Sequence, residues 1–198
     1  MHSIPNTLIS VGNRAFQNCF SLVNCNLPNT VRSIGERAFD SETTALEMQV
    51  AMNELPTSLE YLGAYAFRRG GSNIKFSVIP NKLKALPDWC LGNCPEITIN
   101  HFGGPGSSLT TIGSNVFYNS GSSSVTTLTF EAPVTTMNAT ALFKSGMQEN
   151  YAKSITTINT HSLFGYDDSD AWETALFGWT GIDAGSSRVA EITTNLTA

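Results

Sequence analysis

The sequence predicts a strand-dominated α/β fold, wound as a right-handed solenoid of about seven irregular coils. Three observations support this prediction: one phrase of residues recurs along most of the chain, its copies lie 21 to 28 residues apart, and short alternating segments separate them. The expected architecture has one parallel β-sheet and an irregular or short-helix opposite face. Because a single coil cannot cover its own apolar face, stability would come from neighbouring coils.

The recurring phrase is a Pro, two aliphatic residues at three-residue intervals, a Gly, and an Ala-Phe pair. The first copy has Pro5, Leu8, Val11, Gly12 and Phe16 at these positions. The later copies have their first aliphatic residue at the following positions: Val31, Leu59, Leu83, Leu109, Val134 and Ile155. Periods in the twenties are typical of leucine-rich repeats, and longer periods are typical of helical repeats and propeller blades.

The segment before each Pro position is expected to be a strand, because apolar residues recur one, three and six positions before it. These inward-facing residues are Leu22, Cys25, Leu27, Ile74, Ser77, Ile79, Val125, Leu128 and Phe130. All copies run in the same direction, so the sheet should be parallel, and parallel strands require a crossover. The Gly-x-x-Ala-Phe half of the repeat is expected to supply that crossover.

Two positions in the second half of the repeat have structural roles in this prediction. Gly12, Gly35, Gly63 and Gly113 should provide a backbone bend that a residue with a Cβ would resist. Asn138 and Asn159 replace this Gly in the late copies, and Asn is the next most tolerant of positive φ. The rings of Phe16, Phe39, Phe67 and Phe117 should form an interior ladder in register along the solenoid axis.

The ends of two copies carry a family resemblance. Phe16-Gln17-Asn18-Cys19 and Leu91-Gly92-Asn93-Cys94, together with the preceding Gly and Ala positions, resemble the BspA-type (Treponema-type) leucine-rich repeat. The resemblance covers about residues 4–165, and it departs in the fourth copy at Pro87 and Trp89. It implies a surface protein or adhesin with a non-catalytic repeat; phage and viral proteins also contain this repeat.

Composition excludes several function classes. The chain has 198 residues and a net charge of −5, with a pI near 5.1. No basic stripe is available to neutralise phosphates, so no nucleic-acid partner is expected. No apolar run approaches the length of a membrane span, so no membrane insertion is expected. Residues 1–6 show no basic region followed by an apolar one, and we expect no signal peptide in this chain.

The residue types of catalytic and metal sites are present but scattered. Cys19, Cys25, Cys90 and Cys94 lack metal-binding spacing, and core thiols are favoured over a disulfide. The three His residues fall in different copies, and Gly103–Gly106 lacks the Lys and helix of a phosphate loop, which favours an insertion between coils. We therefore expect no enzyme, no metal site and no cofactor.

Two regions are candidates for binding. The first is the outward face of the strands, where the candidate binding residues are Lys75, Phe76, Asn100, Thr127 and Thr129, with Met52 among their neighbours. Solenoids often bind through such sheets, although exposed Thr is also common on merely soluble strands.

The second region is residues 166–198, which follow the solenoid of residues 1–165 and are expected to form an irregular insertion with a terminal partial repeat. Trp172 and Trp179 in this region suit either a cap over the last coil or a contact surface. The acidic residues Asp167, Asp168 and Asp170 suit a solvated turn, with a calcium site as the alternative.

The predicted function is non-catalytic recognition by a surface-exposed adhesion module that binds a host protein or glycan. Its location would be extracellular or at the cell surface. The alternative is a structural component of a phage or viral particle, in which the chain contacts neighbouring subunits as a spacer or decoration protein.

Overall fold

The computed structural model describes residues 4–23, 25–43, 49–122, 124–131, 133–138, 141, 157–161 and 193–197. Within these ranges the strands are β1 (Ser10–Val11), β2 (Ser33–Ile34), β3 (Tyr61–Leu62), β4 (Ala85–Leu86), β5 (His101–Phe102), β6 (Thr111–Ile112), β7 (Thr127–Phe130), β8 (Thr136–Met137), β9 (Thr157–His161) and β10 (Thr193–Thr197). Every pairing between them is parallel. The strand-dominated, parallel character predicted from the repeats is confirmed.

The helical contribution is smaller than expected. Within the described ranges, the one helical element is a 3₁₀ turn over Gly71–Asn73. The Gly-x-x-Ala-Phe halves instead form consecutive turns, closed by short-range hydrogen bonds such as that from the Ala15 N–H to the Gly12 carbonyl (3.3 Å). The Gly-x-x-Ala-Phe halves are therefore irregular, as predicted. Among the described residues, the 3₁₀ turn takes the place of the short helices that were also expected.

The prediction of one sheet is wrong, because the described strands form three: β1-β2-β3, β4-β6-β8 and β10-β9-β7-β5. The repeats contribute strands at two places instead of one. The segments before the Pro positions of the fifth and sixth copies form β5 and β7, as predicted. β9 and β10 continue this sheet, and the pairing of Ile158 with Leu128 and of Asn159 with Thr129 corrects the prediction that Ile158 and Asn159 take the aliphatic and Gly positions of a late copy. A second segment, at the aliphatic residue just before the Gly-x-x-Ala-Phe half, forms the remaining strands. The two segments lie in different sheets.

A missing amide hydrogen accounts for the separation of β3 from β4. In a regular copy the Gly donates its N–H to the backbone carbonyl of the second aliphatic residue in the preceding copy, as Gly63 does to Ile34 at 2.8 Å. In the fourth copy Pro87 occupies this Gly position and has no N–H to donate. The equivalent bond to Leu62 at the end of β3 cannot form, and the row of two-residue strands is interrupted there.

Backbone hydrogen bonds also join the turns of successive copies. Phe16 donates its N–H to Ala38 at 2.8 Å, and Phe39 donates to Ala66 at 2.7 Å. The side chains follow the same stacking: the Phe16 and Phe39 rings are 5.1 Å apart, and the Phe39 and Phe67 rings are 5.2 Å apart and within 2° of parallel. This part of the predicted Phe ladder is confirmed.

Phe117 does not continue that ring stack. Its copy is separated from Phe67 by the fourth copy, where Leu91 takes the Phe position. Phe117 instead contacts Phe102 edge-on at 5.7 Å, and Phe102 stacks on Phe130 at 4.7 Å. All of these side chains are buried in one core cluster.

The repeated Gly is required for close approach rather than for a bend. None of the four has a positive φ, which corrects the prediction. A Cβ on Gly35 would lie 2.4 Å from Asn13 Oδ1, and one on Gly63 would lie 2.3 Å from the Glu36 backbone nitrogen. Successive copies therefore pack closely at Gly35 and Gly63, where a Cβ would clash with the preceding copy.

Candidate ligand-binding groove

A continuous groove runs across four successive copies beside their Pro-containing turns. It consists of three cavities of about 290, 300 and 200 Å³. The first two cavities share Glu54 and Leu55, and the second and third share residues 77–79 and Asn81. We call this the repeat groove; its lining residues lie within 26–29, 53–57, 77–81 and 101–107.

Side-chain amides line the repeat groove in its first three copies. Asn26, Asn53 and Asn81 are exposed to solvent there. Asn29 also lines the groove, and its Oδ1 accepts a hydrogen bond from the Thr57 N–H at 3.0 Å, which holds one Pro turn against the next. An amide both donates and accepts hydrogen bonds, so the groove can match either kind of polar group on a ligand.

A pair of consecutive outward-facing residues places an apolar side chain at the centre of the groove. Ile74 and Phe76 alternate inward and are buried, but Ser77 and Val78 then both face solvent before Ile79 turns inward again. Strict alternation would allow one outward residue between two inward ones. Because two consecutive residues face outward here, the Val78 side chain is 69% exposed. It is the most exposed large hydrophobic residue in the described part of the chain.

The outward-facing pair Ser77 and Val78 also corrects the predicted directions of side chains on the sheet face. Counting back from Pro80 assigned Ser77 inward and Phe76 outward, whereas Phe76 is fully buried and its ring meets Phe67 edge-on at 5.0 Å. Phe76 is therefore a core residue and not a binding residue. Met52, also predicted to face outward, is buried as well.

The remaining predicted binding residues fall into two groups. Lys75 and Asn100 are exposed, and Thr127 and Thr129 are half-buried on β7. None of these four lines the repeat groove, although β5 joins the two surfaces through His101. Trp172 and Trp179, together with the acidic segment 167–170, lie outside the described residues. From the region 166–198, the structure describes β10, which pairs in parallel with β9.

The Gly-rich insertion lies between β5 and β6, at the far end of the groove. Gly103, Gly104 and Gly106 have φ angles of 96°, 91° and 80°, a region that residues with a Cβ rarely occupy. His101 in β5 and Glu131 approach each other there, with 3.5 Å between His101 Nε2 and Glu131 Oε1. A Cβ on Gly104 would lie within 3.3 Å of both side chains, so the insertion packs tightly against this pair.

A second cluster, which the sequence analysis did not identify, surrounds a buried carboxylate on the opposite half of the repeat. Asp40 is fully buried and accepts hydrogen bonds from both Arg37 and Arg68. The two guanidinium groups lie over the Tyr65 ring, at 4.4 and 4.8 Å from its centroid. Trp89 continues this row at 6.3 Å from Tyr65. These contacts join neighbouring copies and support the stacking.

The cysteines have the environment of core residues. All four are free; Cys25, Cys90 and Cys94 are buried, and Cys19 is half-buried. Burial raises the pKa of the Cys25 thiol to about 11 and the pKa of Cys90 well above its usual range. Cys94 Sγ donates to the Phe67 carbonyl at 3.2 Å. A nucleophilic cysteine needs a lowered pKa and access to solvent, so Cys25 and Cys90 do not suit catalysis.

The described residues contain no group of three or more His, Cys, Asp or Glu side chains placed to hold a metal ion. The described part of the chain also has no helix of sufficient length and apolar character to cross a membrane.

The comparison with protein-family models identifies the repeat. The model for the BspA type leucine-rich repeat region matches with six copies, over residues 2–120 and 48–168. The chain belongs to the BspA-type leucine-rich repeat family. The predicted resemblance is thus confirmed, and the repeat of this family is generally a binding repeat without enzymatic activity.

Two solved bacterial structures are similar to this BspA-type chain. A leucine-rich repeat protein from Bacteroides ovatus has 17% identity and a TM-score of 0.37, and the match covers 80% of this chain and 48% of that one. A leucine rich cell surface protein from Faecalibacterium prausnitzii has 17% identity and a TM-score of 0.35, with 99% of this chain and 63% of that one covered. This chain thus spans less than two thirds of either relative. A search of curated proteins gives no match.

Proposed function

We propose that this BspA-type chain is a non-catalytic recognition and adhesion module, displayed at a cell surface, that binds a host protein or glycan. The observation that carries the proposal is the repeat groove, which crosses four successive copies without interruption. A surface that extends over several copies offers many weak contacts, which is how repeat proteins usually bind their partners.

In this proposal the stacked copies wind into a right-handed solenoid that acts as a rigid support. The backbone bonds between successive turns and the Phe16–Phe39–Phe67 ring stack hold each copy against the next. A support held in this way loses little conformational entropy when a ligand binds, so more of the contact energy contributes to affinity.

The outward face of β5 and β7 adjoins the groove and is the second part of the proposed binding surface. Lys75 and Asn100 are exposed there, and Thr127 and Thr129 are partly exposed. A large partner that occupied the groove would extend over this face through His101, which belongs to both surfaces.

The proposal is tested by coating fluorescent beads with the purified chain and measuring their retention on epithelial cells and on extracellular-matrix coatings. Albumin-coated beads provide the background. We expect retention above background, and we expect Val78→Glu to reduce it about tenfold because a charge at the centre of the groove must be desolvated on binding. The Lys75→Ala and Asn100→Ala variants measure the contribution of the sheet face.

Two results would contradict the proposal. Retention of wild-type beads no greater than that of albumin-coated beads would exclude a recognition role on these surfaces. Full retention by the Val78→Glu variant would exclude the groove as the binding site. Because Val78 is 69% exposed, its replacement should leave the fold intact, which an unchanged thermal midpoint would verify.

A further inference from the structure

We propose that the ligand of the repeat groove is a neutral oligosaccharide chain that lies along the groove, one sugar unit against each copy. This inference rests on the proposed recognition function and specifies its site and ligand class. It is argued from the charge of the lining, from the chemistry of its polar side chains, and from the spacing of the copies.

The charge of the lining excludes strongly charged ligands. Among the described lining residues, Glu54 and His101 are the ionisable ones, and His101 faces Glu131 at 3.5 Å. Recognition of sulfate, phosphate or carboxylate groups normally uses Arg or Lys, and the described lining contains neither. A neutral ligand therefore fits better than a sulfated or acidic glycan or an acidic peptide.

The polar side chains match sugar hydroxyls. A hydroxyl group donates one hydrogen bond and accepts others, and an amide side chain offers both functions at a fixed separation. Asn26, Asn53 and Asn81 are exposed in three successive copies, and Ser77 adds a hydroxyl group in the third. A ligand with hydroxyls along its length can bond to each copy in turn.

The apolar centre of the groove also suits a sugar. Val78 lines the middle cavity and is 69% exposed, whereas Ile79 and Pro80, which also line this cavity, are buried. A pyranose ring has C–H groups on its faces and hydroxyls at its rim, so one ring can cover Val78 while its rim reaches the amides. An amphipathic helix would require a continuous apolar stripe, whereas the cavity beside Asn26 and Asn53 is lined largely by polar side chains.

The spacing of the copies sets the periodicity of the ligand. Parallel strands of successive copies lie about 4.8 Å apart, which is close to the length of one pyranose unit in an extended chain. An extended peptide advances about 3.4 Å per residue and does not repeat in step with the copies. The groove crosses four copies and therefore has room for a chain of several sugars.

The experiment uses the full chain on a printed array of short neutral oligosaccharides, with sulfated and sialylated oligosaccharides on the same array. Oligosaccharides that bind are then titrated by calorimetry against wild type and variants. We expect binding to neutral structures, about tenfold weaker in Asn53→Ala and in Asn81→Ala because each removes a bidentate hydrogen-bonding group. The control variant Gln17→Ala removes a side-chain amide on the opposite half of the repeat, outside both proposed binding surfaces, and should bind within about twofold of wild type.

The outcomes separate this inference from the proposed function. An array that shows no binding, binding confined to charged glycans, or unchanged affinity in both groove variants would overturn the oligosaccharide inference. If beads still adhere to cells in that case, and adhesion survives periodate oxidation of cell-surface sugars, the recognition role stands with a protein ligand. If the beads do not adhere, the proposed function fails independently.

Discussion

Arg68 forms a two-pronged ion pair with Asp40 of the preceding copy. Arg68 Nε donates to Asp40 Oδ1 at 2.8 Å, and Arg68 Nη2 donates to Asp40 Oδ2 at 2.9 Å. Arg37 adds a third bond at 3.1 Å, and Gln17 of the copy before that lies 3.4 Å away. The carboxylate is fully buried, so its stability within the fold depends on these donors.

Replacement of Arg68 by Met should therefore lower the free energy of unfolding by about 2 kcal/mol, because a buried carboxylate loses two of its donors while Arg37 remains. Urea unfolding measures this change. Arg32→Met is the matched control: it removes the 3.5 Å ion pair with Glu60, in which both side chains are exposed, and should cost less than about 0.5 kcal/mol. Equal effects of the two variants would contradict the structural role assigned to Asp40.

The repeated Gly provides a second test, because equivalent positions differ in the space around them. A Cβ at Gly63 would lie 2.3 Å from the Glu36 nitrogen, whereas nothing lies within 4 Å of a Cβ at Gly12. We expect Gly63→Ala to destabilise the fold by about 3 kcal/mol or more, and Gly12→Ala to change stability by less than about 1 kcal/mol. Thermal unfolding of both variants would show the difference, and similar midpoints would refute the close-approach explanation.

The sequence predicted the repeat, its family and the Phe16–Phe39–Phe67 stack, because these depend on the same residue type at the same position of each copy, but it wrongly added Phe117 to that stack. It did not predict which backbone positions adopt positive φ. Those positions follow the Gly and the Phe positions by two residues. Four of the nine are Asn, which favours this conformation, and the others are occupied by Arg14, Arg37, Tyr65, Arg69 and Trp89. The Asn residues at 18, 93 and 119 marked the positions after the Phe, whereas those after the Gly were mostly unmarked, as at Arg14, whose N–H donates to the Glu36 carbonyl of the next copy at 2.9 Å.

Arg14 allows this strain to be measured, because its side chain is exposed and its φ is 56°. A left-handed conformation costs a residue with a Cβ about 1–2 kcal/mol, and Gly avoids that cost. Arg14→Gly should therefore raise the free energy of unfolding by about 0.5–1 kcal/mol after the added flexibility of the unfolded chain is offset. The control is Ala15→Gly, at a neighbouring exposed residue whose φ is not positive, and this variant should lower the free energy of unfolding by a similar amount. A loss of stability in both variants would contradict the proposal that the Arg14 backbone is strained.

The Cys25 thiol gives a pH-dependent prediction. Burial raises its pKa from 9.0 to about 11, so the unfolded chain releases this proton at a lower pH than the folded chain does. The contribution of the protonated Cys25 thiol to the free energy of unfolding is fully present below pH 9. It declines as the pH rises toward 11, because the unfolded state then binds fewer protons than the folded state. In urea unfolding, the stability advantage of wild type over Cys25→Ala should shrink between about pH 8 and about pH 10.5. A constant difference would indicate that the thiol ionises equally in both states.

The candidate groove was harder to predict than the fold. Its centre depends on Val78, which faces solvent together with Ser77, and the positions counted back from Pro80 did not mark this pair. The exposed amide residues Asn26, Asn53 and Asn81 come from three successive copies, and each is an ordinary surface residue when read alone. Their alignment appears only once the copies are stacked in register.

Pro87 is the site of the last prediction, because it interrupts the row of strands between β3 and β4. Pro87→Gly would introduce an N–H at the position from which Gly113 donates to Leu86 at 2.8 Å in the following copy. The new hydrogen bond should stabilise the fold by about 1 kcal/mol. Replacing proline by glycine makes the unfolded chain more flexible and should destabilise the fold by a similar amount, so the free energy of unfolding should change little. Amide hydrogen exchange followed by NMR distinguishes the two effects: the amide at position 87 should be protected to about the same degree as that of Gly113. Rapid exchange at position 87 would show that packing of the fourth copy, and not the missing N–H, separates the two sheets.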